Sequence, residues 1–232
     1  MKIVTLNIQH GGGKRIPGIL NYLQSQDADA IVLTEFRENS NAEALRFGLA
    51  ADGYRYFAGA SIAPKENTVC IFSRQPFVAR TYPALPAQDR HRLISAHFDG
   101  ISVYGVYFSQ NKAKVGLFDF LAKGCHLPTE AAYFIVGDFN TGLHFQDEEG
   151  ATFFCTTEFK ALSESGVVDS WRNRNPATRE FSWYSNHGNG FRIDHVFSST
   201  EGDALIERVY YDHKPREAKA TDHAALVVEY VS

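Results

Sequence analysis

The chain contains 232 residues, of which 44% are hydrophobic and 22% are charged, and its formal net charge is −4. This composition is typical of a globular protein with a full core, and the length fits one large domain or two small ones. No apolar run approaches the length of a membrane span, and the first residues predict a strand and not a signal peptide. Cys70, Cys125 and Cys155 form no CxxC motif, so we expect neither a disulfide framework nor a zinc knuckle, and we predict a cytoplasmic protein.

The mildly acidic balance neither requires nor excludes a nucleic-acid partner. Proteins that bind DNA mainly through electrostatics are usually basic, so such a role here needs a local basic face. Candidate residues for that face are Lys14, Arg15, Arg90, Arg92, Lys112, Lys114, Arg172 and Arg174. For most of them a solvated surface is the simpler interpretation.

Apolar periodicity predicts strands interleaved with fewer helices along the chain. Strands are predicted at residues 3–6, 30–33, 54–58, 68–72, 93–98, 101–108, 133–136, 181–183, 193–197, 206–211 and 226–231, and helices at 16–23, 44–49 and 115–122. This order predicts two packed sheets covered by helices, and it argues against one doubly wound parallel sheet. Because no repeat or linker interrupts the pattern, we expect a single domain over residues 1–232.

Carboxylates stand at the ends of several strand-like runs. Glu35 and Asp138 follow such runs, Asp194 begins one and Asp222 precedes the last. A carboxylate in such a place is costly unless it is paired or binds a metal ion. Any one of these residues is explained as a cap or an ion-pair partner, but together they predict one polar site on a rigid scaffold. Oxygen-rich sites of this kind suit Mg²⁺ or Mn²⁺.

The residue types around these carboxylates match the needs of phosphodiester hydrolysis. Glu35 and Asp222 are candidate metal ligands, with Asn7 as a neutral oxygen donor. A second group handles the reacting atoms. Asp138 is the candidate base, and Asn140 can hold the attacking water or a phosphate oxygen. His223 is the candidate cationic donor, and Asp194 orients its imidazole and favours its charged form.

Short motifs spread over nearly the whole chain resemble the endonuclease/exonuclease/phosphatase superfamily, and most closely its exonuclease III and apurinic/apyrimidinic endonuclease branch. The matching pieces are Asn7, Glu35, Tyr107-Phe108-Ser109-Gln110, Gly137-Asp138-Phe139-Asn140, Val168-Asp169-Ser170-Trp171-Arg172, Phe181-Ser182-Trp183, Arg192-Ile193-Asp194 and Thr221-Asp222-His223. Each piece is weakly specific alone, but their order and spacing identify the superfamily.

The resemblance implies a four-layer α/β/β/α sandwich of two mixed sheets flanked by helices, with a Mg²⁺-dependent phosphoesterase site at one edge. It implies that Tyr107 contacts the scissile phosphate. We further expect Arg172, Trp183 and Phe191 to bind the substrate, with Phe191 and Trp183 forming an apolar wall together with Phe181 and Ile193. The expected partner is DNA. We expect a monomer that does not bind a membrane.

Three departures from the branch leave the substrate open. Gln9 stands where some apurinic endonucleases have an acidic residue, Ser109 replaces a usual proline, and residues 185–190 form a short loop. The leading hypothesis is a nuclease that acts on DNA ends or abasic sites. A small-molecule, phosphoinositide or lipid phosphoesterase is the alternative on the same scaffold. A binding module that lost catalysis is disfavoured, because no core catalytic position is replaced.

Overall fold

Two parallel strands from the N-terminal part of the chain form the centre of the first sheet. The computed structural model describes residues 1–60, 62–123, 127 and 131–231. The strands of this sheet are β1 (Lys2–Asn7), β2 (Ala30–Phe36), β3 (Tyr56–Gly59), β4 (Thr68–Ser73), β13 (Ile206–Asp212) and β14 (Ala225–Tyr230). They lie in the order β13-β14-β1-β2-β4-β3, in which β1 and β2 are parallel and the other neighbours are antiparallel.

The second sheet repeats this plan around another parallel pair. Its strands are β5 (Val78–Arg80), β6 (Leu93–His97), β7 (Ile101–Tyr107), β8 (Ala132–Asp138), β9 (Val168–Asp169) and β12 (Asp194–Ser198). They lie in the order β5-β6-β7-β8-β12-β9, and only β7 and β8 are parallel among the described pairs. A separate hairpin joins β10 (Trp183–Tyr184) to β11 (Gly190–Phe191).

Helices cover the outer face of each sheet. The described α-helices are α1 (Ile16–Ser25), α2 (Ser40–Ala51), α3 (Val115–Ala122), α4 (Thr156–Glu164), α5 (Ser170–Arg174), α6 (Thr200–Leu205) and α7 (Lys214–Glu217). Helices α1 and α2 pack on the first sheet, and α3 and α4 pack on the second. No helix in the described part of the chain has the length and apolar character needed to cross a membrane.

Alternation of side chains along the strands builds three apolar layers from this arrangement. On β1, Ile3 points into the core between the two sheets, whereas Val4 and Leu6 pack under α1 and α2. On β8, Val136 joins the inner core and Ile135 packs under α3 and α4. Both faces of each sheet are therefore buried, which explains the nearly continuous apolar runs of the central strands. The predicted four-layer α/β/β/α sandwich is confirmed.

Apolar periodicity in the sequence predicts the long helices and strands well and the short ones poorly. Helix α4 places only Phe159 and Leu162 in the core, and the edge strand β5 is exposed throughout, so each offers few apolar positions from which to predict it. The strand predicted at residues 181–183 is instead the two-residue strand Trp183–Tyr184. Cys70 and Cys155 are free thiols, as expected, while Cys125 lies outside the described residues.

Candidate functional site at the edge of the two sheets

Six predicted site residues meet because of the directions of their strands. The carboxyl ends of the parallel pairs β1/β2 and β7/β8 lie at one edge, and the antiparallel strands β12 and β14 begin at that edge. Asp194 is directly opposite Asp138 in the antiparallel register. The residues at this edge are Asn7, Glu35, Tyr107, Asp138, Asp194 and His223. The fold thus gathers groups that are far apart in sequence.

Asn7 connects two buried carboxylates. Its Nδ2 donates to Glu35 Oε1 at 3.2 Å and to Asp138 Oδ2 at 2.8 Å. Its Oδ1 accepts the backbone N–H of Gln9 at 2.8 Å. The exposed fractions of Asn7, Glu35 and Asp138 are 1%, 8% and 1%, so this amide is the neutral link in a largely dry acidic cluster.

Local backbone geometry aims two of these carboxylates. Glu35 has φ of 52°, and the β2–β4 register shifts between Thr34 and Phe36. Such a bulge re-aims the side chain that it carries, at a cost in backbone strain. Gly137, immediately before Asp138, has φ of 145°, and a Cβ there would lie 2.0 Å from the Val106 carbonyl oxygen. Only glycine fits that position next to β7.

Asp138 is held by the residue two positions after it. The backbone N–H of Asn140 donates to Asp138 Oδ1 at 2.8 Å, and Asn140 Nδ2 lies 3.2 Å from Asp138 Oδ2. Burial, and secondly the Asp194 charge, raise the pKa of the Asp138 carboxyl. A carboxylate with a raised pKa is a better acceptor of a proton at neutral pH. This geometry suits a general base.

Asp194 and His223 form a buried charged pair. His223 Nδ1 lies 2.8 Å from Asp194 Oδ2. Burial lowers the pKa of the imidazole, but the attraction of Asp194 more than offsets this and raises it to about 10. His223 is therefore a cation at neutral pH. Tyr211 fixes the backbone beneath the pair, because its hydroxyl donates to the Asp194 carbonyl oxygen at 2.6 Å.

Tyr107 presents its hydroxyl beside Glu35. Asn67 Nδ2 donates to the Tyr107 hydroxyl oxygen at 3.3 Å and to Glu35 Oε2 at 3.0 Å. Burial and the charges of Glu35 and Asp138 raise the pKa of Tyr107. The group therefore stays a phenol at neutral pH and keeps a proton that it can donate to an anionic oxygen.

Asp222 is linked to the cluster through Gln9. Gln9 Nε2 and Trp183 Nε1 both donate to Asp222 Oδ2, at 3.1 and 3.0 Å. Since the backbone of Gln9 also binds Asn7, one hydrogen-bonded network contains the three predicted metal ligands Glu35, Asn7 and Asp222. Their role toward a metal ion stays a prediction.

The charge balance of the cluster fits a divalent cation. Glu35, Asp138 and Asp194 are all buried, and His223 supplies one positive charge against them. The raised pKa of Asp138, caused first by burial and then by Asp194, reflects this excess of negative charge. Carboxylate oxygens are the ligands that Mg²⁺ and Mn²⁺ prefer. In the described part of the chain, ligand atoms within 4.8 Å of one another come from Asp138, Asp194 and His223, the residues predicted for catalysis.

The predicted substrate-binding residues are placed differently from one another. Trp183 and Phe191 pack with their ring centroids 5.6 Å apart and line a pocket of about 280 Å³ that reaches Asn140. Arg172 instead uses its guanidinium within the protein. It binds Asp147 Oδ1 at 2.8 Å and two backbone carbonyls, and it stacks on Trp171. The Arg172 guanidinium is thus engaged by internal partners, and a role toward substrate stays a prediction for Arg172, Trp183 and Phe191.

Sequence reasoning missed two groups that organise the site. Asn67 lies in the loop before β4 and joins Glu35 to Tyr107, although no periodic pattern marks it. Lys114 is one of the cations predicted for a basic, DNA-facing surface, yet it is 1% exposed and its ammonium donates to the Asn140 carbonyl oxygen. Burial lowers the pKa of Lys114 to about 8, although Asp138 opposes this shift.

A second buried ionic cluster, also unexpected from sequence, supports the strand that carries Asp194. Arg192 is fully buried and donates to Asp147 at 2.7 Å and to Asp169 at 2.6 Å. Despite burial, the charge of Arg192 holds the pKa values of both Asp147 and Asp169 below their usual range. This cluster ties the segment after Asn140 to the start of β12.

Solved structures with the same fold include enzymes of the predicted branch. A 3′ phosphatase from Neisseria bound to a product DNA hairpin shares 23% identity with a TM-score of 0.85, over 100% of each chain. A 3′-5′ exonuclease from Neisseria meningitidis shares 24% with a TM-score of 0.84, again over 100% of each chain. An AP endonuclease from Archaeoglobus fulgidus shares 22% with a TM-score of 0.84 and the same coverage. At these identities the similarity shows the fold alone, and no curated protein sequence matches the chain.

The family of this chain is shown by the match of its sequence to a protein-family model. The model described as the Endonuclease/Exonuclease/phosphatase family matches residues 4–223. This range contains every strand-end residue of the cluster, from Asn7 to His223. The superfamily assignment made from short motifs is thereby confirmed, and the chain belongs to the Endonuclease/Exonuclease/phosphatase family.

Proposed function

We propose that this protein is a divalent-metal-dependent phosphodiester hydrolase that acts on DNA, as nucleases of the exonuclease III type do. The observation that carries the proposal is the buried cluster in which Asp138 faces the charged Asp194–His223 pair, with Asn7 and Glu35 alongside. Such a cluster is costly for stability alone, and it contains a base and a cation that phosphoryl transfer requires.

Each side chain then has a distinct part in the reaction. Asp138 takes a proton from the attacking water, and Asn140 keeps that carboxylate in place through its backbone and side-chain N–H groups. His223, held as a cation by Asp194, stabilises the charge that develops on the phosphate oxygens. The Tyr107 hydroxyl donates a hydrogen bond to a phosphate oxygen and keeps its proton, which orients the phosphate for in-line attack.

Glu35 and Asp222, with Asn7, would hold the metal ion. A bound Mg²⁺ or Mn²⁺ supplies a Lewis acid that neutralises phosphate charge. Glu35 is preset for this task, because the backbone N–H of His10 and the side chain of Asn67 fix its Oε2 at 2.8 and 3.0 Å. The excess negative charge of the cluster supports this part of the proposal.

DNA is favoured as the substrate by the similarity to enzymes whose structures are described as a DNA-bound 3′ phosphatase, a 3′-5′ exonuclease and an AP endonuclease. The pocket beside Asn140 adds support, since aromatic walls suit a nucleotide or a base-free sugar. Lys14 and Lys112 are exposed cations that are free to meet a phosphate backbone, whereas Lys114 is buried.

A small phosphodiester is the second candidate substrate. The hairpin between β10 and β11 is closed tightly, with the Ser185 N–H bonded to the Asn189 carbonyl at 2.9 Å. It therefore offers little chain to insert into a DNA groove. A small-molecule, phosphoinositide or lipid phosphoester needs no such insertion.

We also propose that residues 1–232 form one domain that acts as a monomer in the cytoplasm. The inner core draws on both sheets and so supports one folding unit. Sedimentation analysis at micromolar concentration would test the monomer, and a dimer would overturn it.

A substrate panel tests the proposed function. Purified protein with Mg²⁺ is given an abasic duplex, a blunt duplex, single strands, RNA and bis(p-nitrophenyl) phosphate, with Asp138→Asn protein as the control. Cleavage of DNA that disappears in the variant supports the proposal. Turnover confined to the small phosphodiester would favour the second candidate, and absence of all turnover would contradict both.

A further inference from the structure

Residues 141–155, between β8 and α4, expose aromatic side chains next to the candidate site. Phe145 is 65% exposed and Phe154 is 43% exposed, while Phe153 is half-buried. Large aromatic side chains usually contribute their area to a core or an interface. Of the two exposed rings, Phe154 borders the pocket that reaches Asn140, where an occupant can cover it.

Side-chain hydrogen bonds hold the backbone of this segment, although residues 141–155 contain neither helix nor strand. The Glu148 carboxylate, 2% exposed, accepts the backbone N–H groups of Thr152 at 2.8 Å and Phe153 at 3.0 Å. The Thr141 hydroxyl donates to the Phe154 carbonyl at 2.7 Å. The backbone that carries Phe153 and Phe154 is thus fixed before any ligand arrives, which reduces the entropy cost of binding.

Phe153 and Phe154 line the pocket that reaches Asn140, together with Phe191 and Trp183. The Phe153 and Phe191 rings meet edge to face, with their centroids 5.5 Å apart. Because Asn140 binds Asp138 directly, an occupant of this pocket lies beside the reacting phosphate. The occupant of this pocket is therefore the part of the substrate that adjoins the scissile bond.

We propose that Phe153 and Phe154 form a stacking platform for an unpaired nucleobase next to the scissile phosphate. The inference rests on the proposed function and adds a preference for ends whose terminal base is unpaired. A base offers a flat π face to the exposed Phe154 ring, whereas a base-free sugar leaves that ring in water.

The rim of the pocket fits the remaining parts of a nucleotide. The side chains of Gln110 and Asn111 offer amide donors and acceptors to the polar edge of a base. Lys112 is exposed and directly follows Asn111, which lines the pocket, so it places a cation at the rim. A phosphate that precedes the stacked base meets this cation.

The test compares Phe154→Ala with Phe47→Ala. Phe47 is 81% exposed on α2, which packs on the first sheet, so its loss is a control for an exposed phenylalanine. The substrates are DNA duplexes with a mismatched, a paired or a base-free 3′ terminus, all with Mg²⁺. For each protein we measure kcat/KM and the quenching of 2-aminopurine placed at the mismatched terminus.

The wild-type protein and Phe47→Ala should prefer the mismatched terminus and quench its fluorescence. Loss of one stacking face typically weakens binding roughly 5- to 150-fold, so Phe154→Ala should reduce the ratio of mismatched to base-free turnover by about that factor. An unchanged ratio in a folded Phe154→Ala protein that still cleaves DNA would overturn the platform alone. Absence of any DNA cleavage by the wild type would instead contradict the proposed function, and the platform with it.

Discussion

Replacement of Asp194 by Asn is expected to discharge His223 at neutral pH. The two side chains meet at 2.8 Å, and His223 is 4% exposed. Burial lowers the pKa of His223, and Asp194 is the main group that raises it to about 10. With that carboxylate gone, burial opposes the charged ring against the weaker attraction of Asp138 and Asp222, so we expect the pKa of His223 to fall to about 6.5.

The size of the effect follows from these two pKa values. At pH 7.5 a pKa of about 10 leaves nearly every His223 charged. A pKa of about 6.5 leaves roughly one ring in ten charged, which costs about tenfold in rate. Misorientation of the imidazole adds to this, for a total loss of about 10²–10⁴ in kcat. The raised pKa also stabilises the fold. This contribution is complete below the unfolded pKa of about 6.5 and is lost as the pH rises through about 10.

Rates on bis(p-nitrophenyl) phosphate between pH 6 and 9, together with a proton NMR titration of His223, measure this effect. The ratio of variant to wild-type kcat/KM should improve as the pH falls toward 6.5. Asp203→Asn is the matched control, because Asp203 pairs with Arg174 at 2.6 Å on the partly exposed helix α6. A ratio that is independent of pH, with an unchanged titration of His223, would refute the charge argument.

Three further outcomes are expected. Asp169→Asn should lower the free energy of unfolding in urea by about 3–5 kcal/mol, because the buried Arg192 loses one of its two carboxylate partners, and an unchanged urea midpoint would contradict this. Since the pKa of Asp169 is depressed in the folded protein, its stabilising effect is complete above about pH 4 and is lost on further acidification. Gly137→Ala should prevent folding to a state with native near-UV circular dichroism, since its Cβ would lie 2.0 Å from the Val106 carbonyl oxygen, and a native spectrum would show that β7 yields. Glu35→Gln should raise the Mg²⁺ concentration for half-maximal rate at least tenfold, and an unaltered Mg²⁺ dependence would remove Glu35 from the metal site.

The positions of the acidic residues could be predicted because the strands around them are buried on both faces. The apolar run before Asp138 and the run before Glu35 each predict a central strand, and both carboxylates follow at its end. Because β1 and β2 are parallel, as are β7 and β8, the carboxyl ends within each pair lie at the same edge of their sheet. The packing of the two sheets then brings these edges together, as the hydrogen bond from Asn7 to Asp138 shows. Strand direction is therefore the physical link between sequence and site.

Groups that act through irregular segments could not be found in this way. Asn67 and Lys114 lie in a loop and a short 3₁₀ helix, where no period marks the side that faces the site. The pairing of Arg192 with Asp147 and Asp169 joins residues that are 45 and 23 positions apart, respectively. Only the folded chain shows that these charges share one buried cluster, and that Arg172 belongs to it too.

The most direct test of the central claim is hydrolysis of a DNA duplex by wild-type and Asp138→Asn proteins across a Mg²⁺ titration that starts in EDTA. We predict no cleavage by the wild type in EDTA, a saturable rise with Mg²⁺, and a loss of about 10²–10⁴ in rate for the variant at every Mg²⁺ concentration. Full turnover in EDTA, or near-normal turnover by folded Asp138→Asn protein, would contradict the account.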